Sequence, residues 1–306
     1  MFEPIELFPE VPNLYEFPSV HAGMLFDEER VGKYSEAIRR VVKKGDIVAD
    51  IGTGTGLLAF LCLEAGAARV HAIERSTAVR WAKLLAEKNG FADRIVFHHQ
   101  DSRLYDLPEK VNVVVSELIG HIAFEEGMVE SLFDAKERFL IPSGVIIPER
   151  VQLRVAVVEE NEIYPKYIEC WRTIKGIDYS LLREEAVKAC YITAMSDRNL
   201  LSEPETFFTV DFCKDEKPIL RGTKIFSALR FGLVNGIFLW FDAILAPEIR
   251  LSSGPWTRTH WKQCFAPIAT PIAVNAGDKI SVEIDMQLRT KEYNSFNLVF
   301  KIDRED

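Results

Sequence analysis

The segment that most restricts the fold is VADIGTGTGLL, residues 48–58: a short apolar run, an aspartate, then glycines at 52, 54 and 56. Glycines spaced this way let the backbone turn sharply and bring its N–H groups against a ligand where a helix begins. Around this loop the apolar pattern switches repeatedly between two periods. Val31, Tyr34, Ile38 and Val41 recur at helical spacing within 27–42, residues 46–51 read as a buried strand, and Leu57–Ala65 reads as a helix closed by Gly66. Residues 70–73, 95–97 and 111–115 read as further strands, with a helix over 76–88 stopped by Asn89 and Gly90. The alternation predicts βαβ units and a parallel sheet covered on both faces.

After Pro148 the rhythm changes. VQLRVAV and ISVEIDMQL alternate apolar with polar residues, and 219–246 is rich in Phe, Ile, Leu and Val with turn glycines. This is antiparallel character and predicts a barrel or sandwich. The stretch from about Trp171 to Glu203, which includes SLLREEAVKA, reads as helical. The expected division is a domain over 1–147 and a second over 148–306 that carries this arm at about 172–203. Residues 1–20, with prolines at 4, 9, 12 and 18, suit an irregular lead-in.

A chain of 306 residues with 48% hydrophobic and 27% charged residues reads as a soluble globular protein. Its net charge of −9 weighs against nucleic acid as the main partner, because such binding relies on a basic face. The five cysteines (62, 170, 190, 213, 264) are odd in number and contain no C-x-x-C pair, which predicts free thiols and no metal site. The acidic, proline-broken N-terminus is not a signal peptide, and no apolar run is long enough to span a bilayer. The expected location is the cytoplasm.

The glycine loop follows G-x-G-x-G rather than the G-x-G-x-x-G of dinucleotide binders, since position 57 is leucine. Asp50, just before it, would repel a pyrophosphate but can accept from the ammonium of an amino-acid cofactor. Glu74, ending the second strand, is placed to accept from both hydroxyls of an unphosphorylated ribose. Together these point to S-adenosylmethionine and a class I methyltransferase.

The strand at 111–115 leads into SELIGHIAFEEGM, residues 116–128, which sets Glu117, Glu125 and Glu126 among apolar neighbours. Desolvated carboxylates need a donor or a cation. Here the sequence resembles the protein arginine methyltransferase family. HAGMLFDEER (21–30) is similar to the family's H-x-x-M-L-x-D-x-x-R segment, and VADIGTGTG and AIERS occupy its cofactor-loop and ribose positions. SELIGHIAFEEGM resembles its double-glutamate hairpin, and THWKQ (259–263) its T-H-W loop. The four motifs occur in the family's order over nearly the entire chain.

The resemblance implies a Rossmann-like cofactor domain, then a β-barrel domain with a helical dimerisation arm, and a homodimer. It implies that Glu117 and Glu126, nine residues apart, hold a substrate guanidinium, with Glu125 outside that pair. It further implies His260 and its partner Asp27 as catalytic groups, with Tyr15, Met24, His121 and Trp261 on the substrate. For the cofactor it implies His21, Arg30 on the carboxylate, Asp50, Gly52, Thr53, Gly54, Glu74 and Arg75, and Ser102 and Arg103 at the adenine edge. Three departures stand out. Of two N-terminal tyrosines only Tyr15 remains, the other falling on Val11. The hairpin's usual Trp-Met-Gly-Tyr is Leu118-Ile119-Gly120-His121, and no recognition domain is appended. Expected activity is therefore methylation of arginine in proteins or peptides, with free L-arginine or another guanidino metabolite as the alternative substrate and a non-catalytic scaffold as a third reading.

Overall fold

In the computed structural model, which describes residues 17–214, 218–288 and 296–304, the first half builds one parallel sheet. Its elements are α1 (Pro18–Leu25), α2 (Glu28–Val41), β1 (Ile47–Ile51), α3 (Leu57–Ala65), β2 (Arg69–Glu74), α4 (Val79–Asn89), β3 (Ile95–His99), β4 (Val111–Ser116), α5 (Met128–Arg138) and β5 (Leu140–Ile147). The strand order is β3-β2-β1-β4-β5, and every pairing is parallel. Val48, Ala49, Val70, Ala72, Val114 and Val115 are completely buried, as a sheet covered on both faces requires. Strand order reverses beside β1, so the carboxyl ends of β1, β2 and β4 frame the crevice in which such sheets bind ligands.

The strands and helices expected from the apolar pattern form close to the expected bounds. Helix α1 was not foreseen, because prolines suggested an irregular lead-in. Pro18 sits in its first turn, where a missing N–H costs nothing and a fixed φ favours helix.

The chain divides into two compact units: one up to Glu117 with Ser131–Glu149 and Leu245–Ile249, the other Leu118–Glu130, Arg150–Ile244 and the chain from Arg250. The second unit contains β6 (Arg150–Val158), β7 (Thr173–Ile174), β8 (Ile177–Asp178), α6 (Leu181–Val187), β9 (Tyr191–Thr193), β10 (Glu205–Asp211) and β11 (Arg221–Ser227). It continues with β12 (Gly232–Ala246), β13 (Ile249–Ser252), β14 (Gln263–Val274), β15 (Lys279–Leu288) and β16 (Phe296–Arg304), the ends of β12 and β13 that flank residue 247 belonging to the first unit. A six-stranded sheet runs β10-β6-β12-β14-β9 with β13 added on β12, and a three-stranded sheet runs β11-β15-β16. All these pairings for which a register is given are antiparallel, in line with the alternating pattern.

Tyr164, Ile168, Met195, Phe238, Trp240 and Phe265 form a buried cluster in this unit. Burial of each large side chain there contributes roughly 1.5–3 kcal/mol. The arm differs from the helical expectation: within 172–203 the α-helix is confined to Leu181–Val187. Lys175 and Gly176 both take positive φ (49° and 82°), the mark of a tight hairpin turn, and they pair β7 with β8. Beyond the helix, β9 joins the edge of β14. Among the described residues no helix is long and apolar enough to cross a membrane, and no group of three His, Cys, Asp or Glu is placed to hold a metal ion.

Candidate active site

Asp50, next to last in the central strand β1, is completely buried. Its Oδ2 accepts from Thr53 Oγ1 at 2.6 Å and from the Ala59 N–H at 3.1 Å. Its Oδ1 is buried and has no hydrogen-bond partner among the described residues. Burial pushes this carboxyl up to about 7, against the pull of those two donors. An orphaned acceptor at the carboxyl end of a central strand calls for a donor from a ligand. A ligand ammonium meets that need and would draw the carboxyl back down.

The glycine loop is stitched to β2, as the Gly52 and Thr53 N–H groups both donate to Ile73 O, at 2.9 and 3.1 Å. Gly54 has φ 54°, which favours glycine, and a Cβ there would lie a tight 3.3 Å from His21 Cε1 on α1. Glu74 accepts from the Gly54 N–H at 2.9 Å and from the Ser76 N–H at 2.7 Å. These bonds fix its carboxylate while each oxygen keeps a second lone pair, as a ribose diol requires. The neighbouring Arg75 is half-buried, its carbonyl 3.2 Å from His99 Nε2.

After β3, Asp101 caps a single 3-10 turn (Ser102–Leu104) by accepting from the Arg103 N–H at 3.0 Å, and the Arg103 guanidinium folds back onto the same carboxylate. Ser102 is buried, and its carbonyl accepts from Arg138 at 2.6 Å. Asp101 and Arg138 thus shape the loop expected to meet the adenine. The resemblance did not single them out.

At the start of α2, Asp27 accepts from the Arg30 N–H at 2.9 Å as the N-cap. Arg30 then gives Nε and Nη2 to Glu117 Oε2 at 2.8 and 2.7 Å and Nη1 to the Met24 carbonyl at 3.0 Å. Both side chains are nearly dry, at 9% and 7% exposed. Burial alone would lower the Arg30 guanidinium, yet Glu117 carries it above its ordinary value. Two of its five N–H groups are not used in these bonds, enough for a ligand carboxylate. The residue expected on the cofactor and a residue expected on the substrate are therefore bonded to each other. One turn along α2 from Arg30, the Tyr34 hydroxyl donates to Ser116 O at 3.0 Å, and Ser116 Oγ donates to Ile51 O at 2.8 Å. Tyr34 and Ser116 set where Glu117 begins; their i, i+4 relation to Arg30 and their adjacency to Glu117 were the available signals.

In the second unit, the hairpin from Leu118 is braced from within. Gly120 and Ala123 exchange main-chain hydrogen bonds at 3.1 and 3.3 Å, and Ala123 takes φ 77°. Glu125 folds back so that both its oxygens accept from the Ile122 N–H, at 3.0 and 3.2 Å. A Cβ on Gly120 would lie 2.0 Å from the Glu125 carboxyl carbon. Loss of solvent pushes this carboxyl up to about 7, with main-chain donors opposing. Glu125 is thus the hairpin's own strut, while Glu126 is half-buried ahead of Gly127.

The 259–262 loop docks on this hairpin. Trp261 Nε1 donates to Ile119 O at 2.7 Å, and His121 Nδ1 lies 2.7 Å from Trp261 O. Trp261 is 3% exposed and packs edge-on against Phe241 at 4.9 Å. Trp261, expected on the substrate, is a buried peg beside the half-buried His260, whose ring lies 4.0 Å from its own. Tyr15 lies outside the described residues.

Gly120→Ala is expected to cost about 1–3 kcal/mol of stability in urea unfolding, the usual range for overpacking. Adding Glu125→Ala should recover part of that loss, because the two changes remove one clash. Strictly additive effects would contradict the brace.

The family model described as the arginine methyltransferase oligomerization subdomain matches residues 149–305, just over half the chain. The model for ribosomal protein L11 methyltransferase (PrmA) matches residues 35–165. Protein arginine N-methyltransferase 6 of Xenopus laevis is 29% identical over 288 residues, covering 89% of this chain and 84% of that one. Protein arginine N-methyltransferase 1 of Schizosaccharomyces pombe is 29% identical, covering 87% and 81%. In fold, the chain is similar to the PRMT1 enzyme-prozyme heterotetrameric complex of Trypanosoma brucei with AdoHcy, at TM-score 0.88 and 22% identity over 95% of each chain. It is also similar to protein arginine methyltransferase 10 of Arabidopsis thaliana, at TM-score 0.78 and 22% identity, covering 95% and 98%. With its strand-end acids, its double-glutamate hairpin and its T-H-W loop, the chain belongs to the protein arginine methyltransferase family.

Proposed function

We propose that the protein is an S-adenosylmethionine-dependent N-methyltransferase acting on arginine side chains of proteins or peptides. The observation that carries this reading is the buried Arg30–Glu117 pair at the end of β4, beside the orphaned acceptor of Asp50 in the same unit. Asp50 Oδ1 would hold the cofactor ammonium, Glu74 its ribose hydroxyls, Arg30 its carboxylate, and the Ser102–Arg103 turn its adenine edge. Bound there, the cofactor supplies a methyl group on a positively charged sulfur.

The chain's own part is to hold a guanidinium and aim it. That cation is planar, always charged and rich in N–H donors, so it suits two carboxylates meeting it at different edges. Glu117 and Glu126 would take those edges and draw positive charge away from the attacking nitrogen. Most of the rate gain would come from this orientation and field. Glu126 or His260 would accept the proton that leaves. The relatives are named protein arginine methyltransferases, which favours a peptide-borne arginine over free arginine.

We further propose that the protein is a homodimer joined through the arm, where Ile174, Ile177, Leu181 and Ile192 are all exposed. Large apolar side chains left exposed in one segment suit an interface, and light scattering at micromolar concentration should return twice the chain mass. A monomer would count against it. The five free cysteines support a reducing compartment, and we place the protein in the cytoplasm.

Incubation with methyl-labelled cofactor should label an Arg-Gly-rich peptide and leave free L-arginine unlabelled. Glu126→Gln should lower kcat on the peptide by about 100-fold or more. Label on free arginine alone would replace the peptide reading, and label on neither would remove the activity.

A further inference from the structure

Two of the free cysteines meet at the edge of the six-stranded sheet. Cys264 is the second residue of β14, buried just past the T-H-W loop. Cys190 lies immediately before β9 and is exposed. The register sets Cys264 opposite Ile192 and Phe265 opposite Tyr191. Residues two apart along a strand share a face, so Cys190 stands on the face of Cys264, diagonally across the ladder. The two thiols are hydrogen-bonded to each other. Cys170 is also exposed and close enough to act on Tyr191, but no hydrogen bond joins it to Cys190.

The pair is asymmetric. The hydrogen bond with Cys264 holds the Cys190 thiol below its ordinary value, against partial loss of solvent and the charge of Glu125. The same bond, with burial and the charges of Cys190 and Glu125, carries Cys264 well above its own. The thiolate is the nucleophile, so reactivity gathers on the sulfur that solvent reaches. An accessible, acidified thiol beside a sheltered second thiol has the features of a peroxide-reactive site.

We propose that Cys190 and Cys264 form a redox site that hydrogen peroxide closes reversibly to a disulfide, slowing methyl transfer; the effect on rate rests on the arginine methyltransferase reading. The Cys190 thiolate attacks one peroxide oxygen, the O–O bond breaks, and hydroxide leaves and takes a proton from solvent. Cys190 is then a sulfenic acid. The Cys264 sulfur attacks the Cys190 sulfur, the S–O bond breaks, and the oxygen leaves as water with the Cys264 proton. Two thiols thus lose two electrons, and one peroxide becomes two waters. A thiol reductant reverses the change.

The effect on the site follows from position. A disulfide brings its Cβ atoms to about 3.8 Å, nearer than diagonal neighbours on a ladder stand, so closure draws the start of β14 toward the arm. Cys264 follows Gln263, which accepts from the Met195 N–H and donates to Ser253 O, and Trp261, which ties down the hairpin. Glu125, the strut of that hairpin, is close enough to act on both thiols.

Peroxide treatment of the whole protein, followed by thiol blocking and peptide mapping, tests this. The wild type should yield a Cys190–Cys264 disulfide. Its kcat on an Arg-Gly-rich peptide should fall about tenfold or more and return with dithiothreitol. Cys264→Ser should stop at a sulfenic acid on Cys190, trapped by dimedone. Cys190→Ser should form neither product and keep its rate under peroxide. Both variants should match the wild type in thermal unfolding before oxidation, and the wild-type map decides the pairing even if they do not. A disulfide from Cys170 to Cys190, or none, overturns the redox site. A Cys190–Cys264 disulfide with unchanged kcat overturns its effect on the rate. A reduced protein that methylates no peptide overturns the arginine reading, while the map still decides the redox site.

Discussion

One buried ion pair organises the first half of the site. Arg30 and Glu117 meet at 2.7 Å with almost no solvent on either side chain. Removing one partner from such a pair leaves an uncompensated charge and typically costs about 3–5 kcal/mol. The pair is held from both ends. Asp27 caps α2 on the Arg30 N–H, and Tyr34, one turn on, grips the carbonyl of Ser116 just before Glu117. A helix and the tip of a central strand are thereby joined at the carboxyl edge of the sheet, where Asp50 and Glu74 also lie, next to last in β1 and last in β2.

The hairpin that follows solves a different problem, that of carrying carboxylates through an apolar segment. Glu125 is satisfied within the hairpin by main-chain donors, which frees its neighbour Glu126 from that duty. Trp261 and His121 then tie the hairpin to the T-H-W loop through two main-chain carbonyls. Positioning bonds of this kind fix a site to within a few tenths of an ångström, and catalysis by orientation depends on that.

How much of this was legible in the sequence varies with the range of the interaction. Strand β1 and helix α3 read out to within a residue, because apolar period and terminal glycines are local signals. That Asp50 and Glu74 lie at the carboxyl ends of β1 and β2, beside the glycine loop, was legible in the same way. The arm was not, since a two-residue turn at Lys175 and Gly176 overrides the helix-forming composition around it. The burial of Trp261 and the strut made by Glu125 depend on groups that meet only after folding. In the Trp261 case the partner is Ile119, 142 positions away. Arg30 and Glu117 each carried a separate expected role, and nothing local in either motif announced that they bond to one another across 87 positions.

That bond ties Glu117, proposed to hold the substrate, to Arg30, proposed to hold the cofactor, whereas Glu126 belongs to the hairpin. Isothermal titration of S-adenosylmethionine into the wild type, Glu117→Gln and Glu126→Gln tests this directly. The predicted result is cofactor affinity weakened about tenfold or more by Glu117→Gln, through the loosened Arg30, and unchanged by Glu126→Gln. Equal cofactor affinity in all three proteins would contradict the shared role of the Arg30–Glu117 pair.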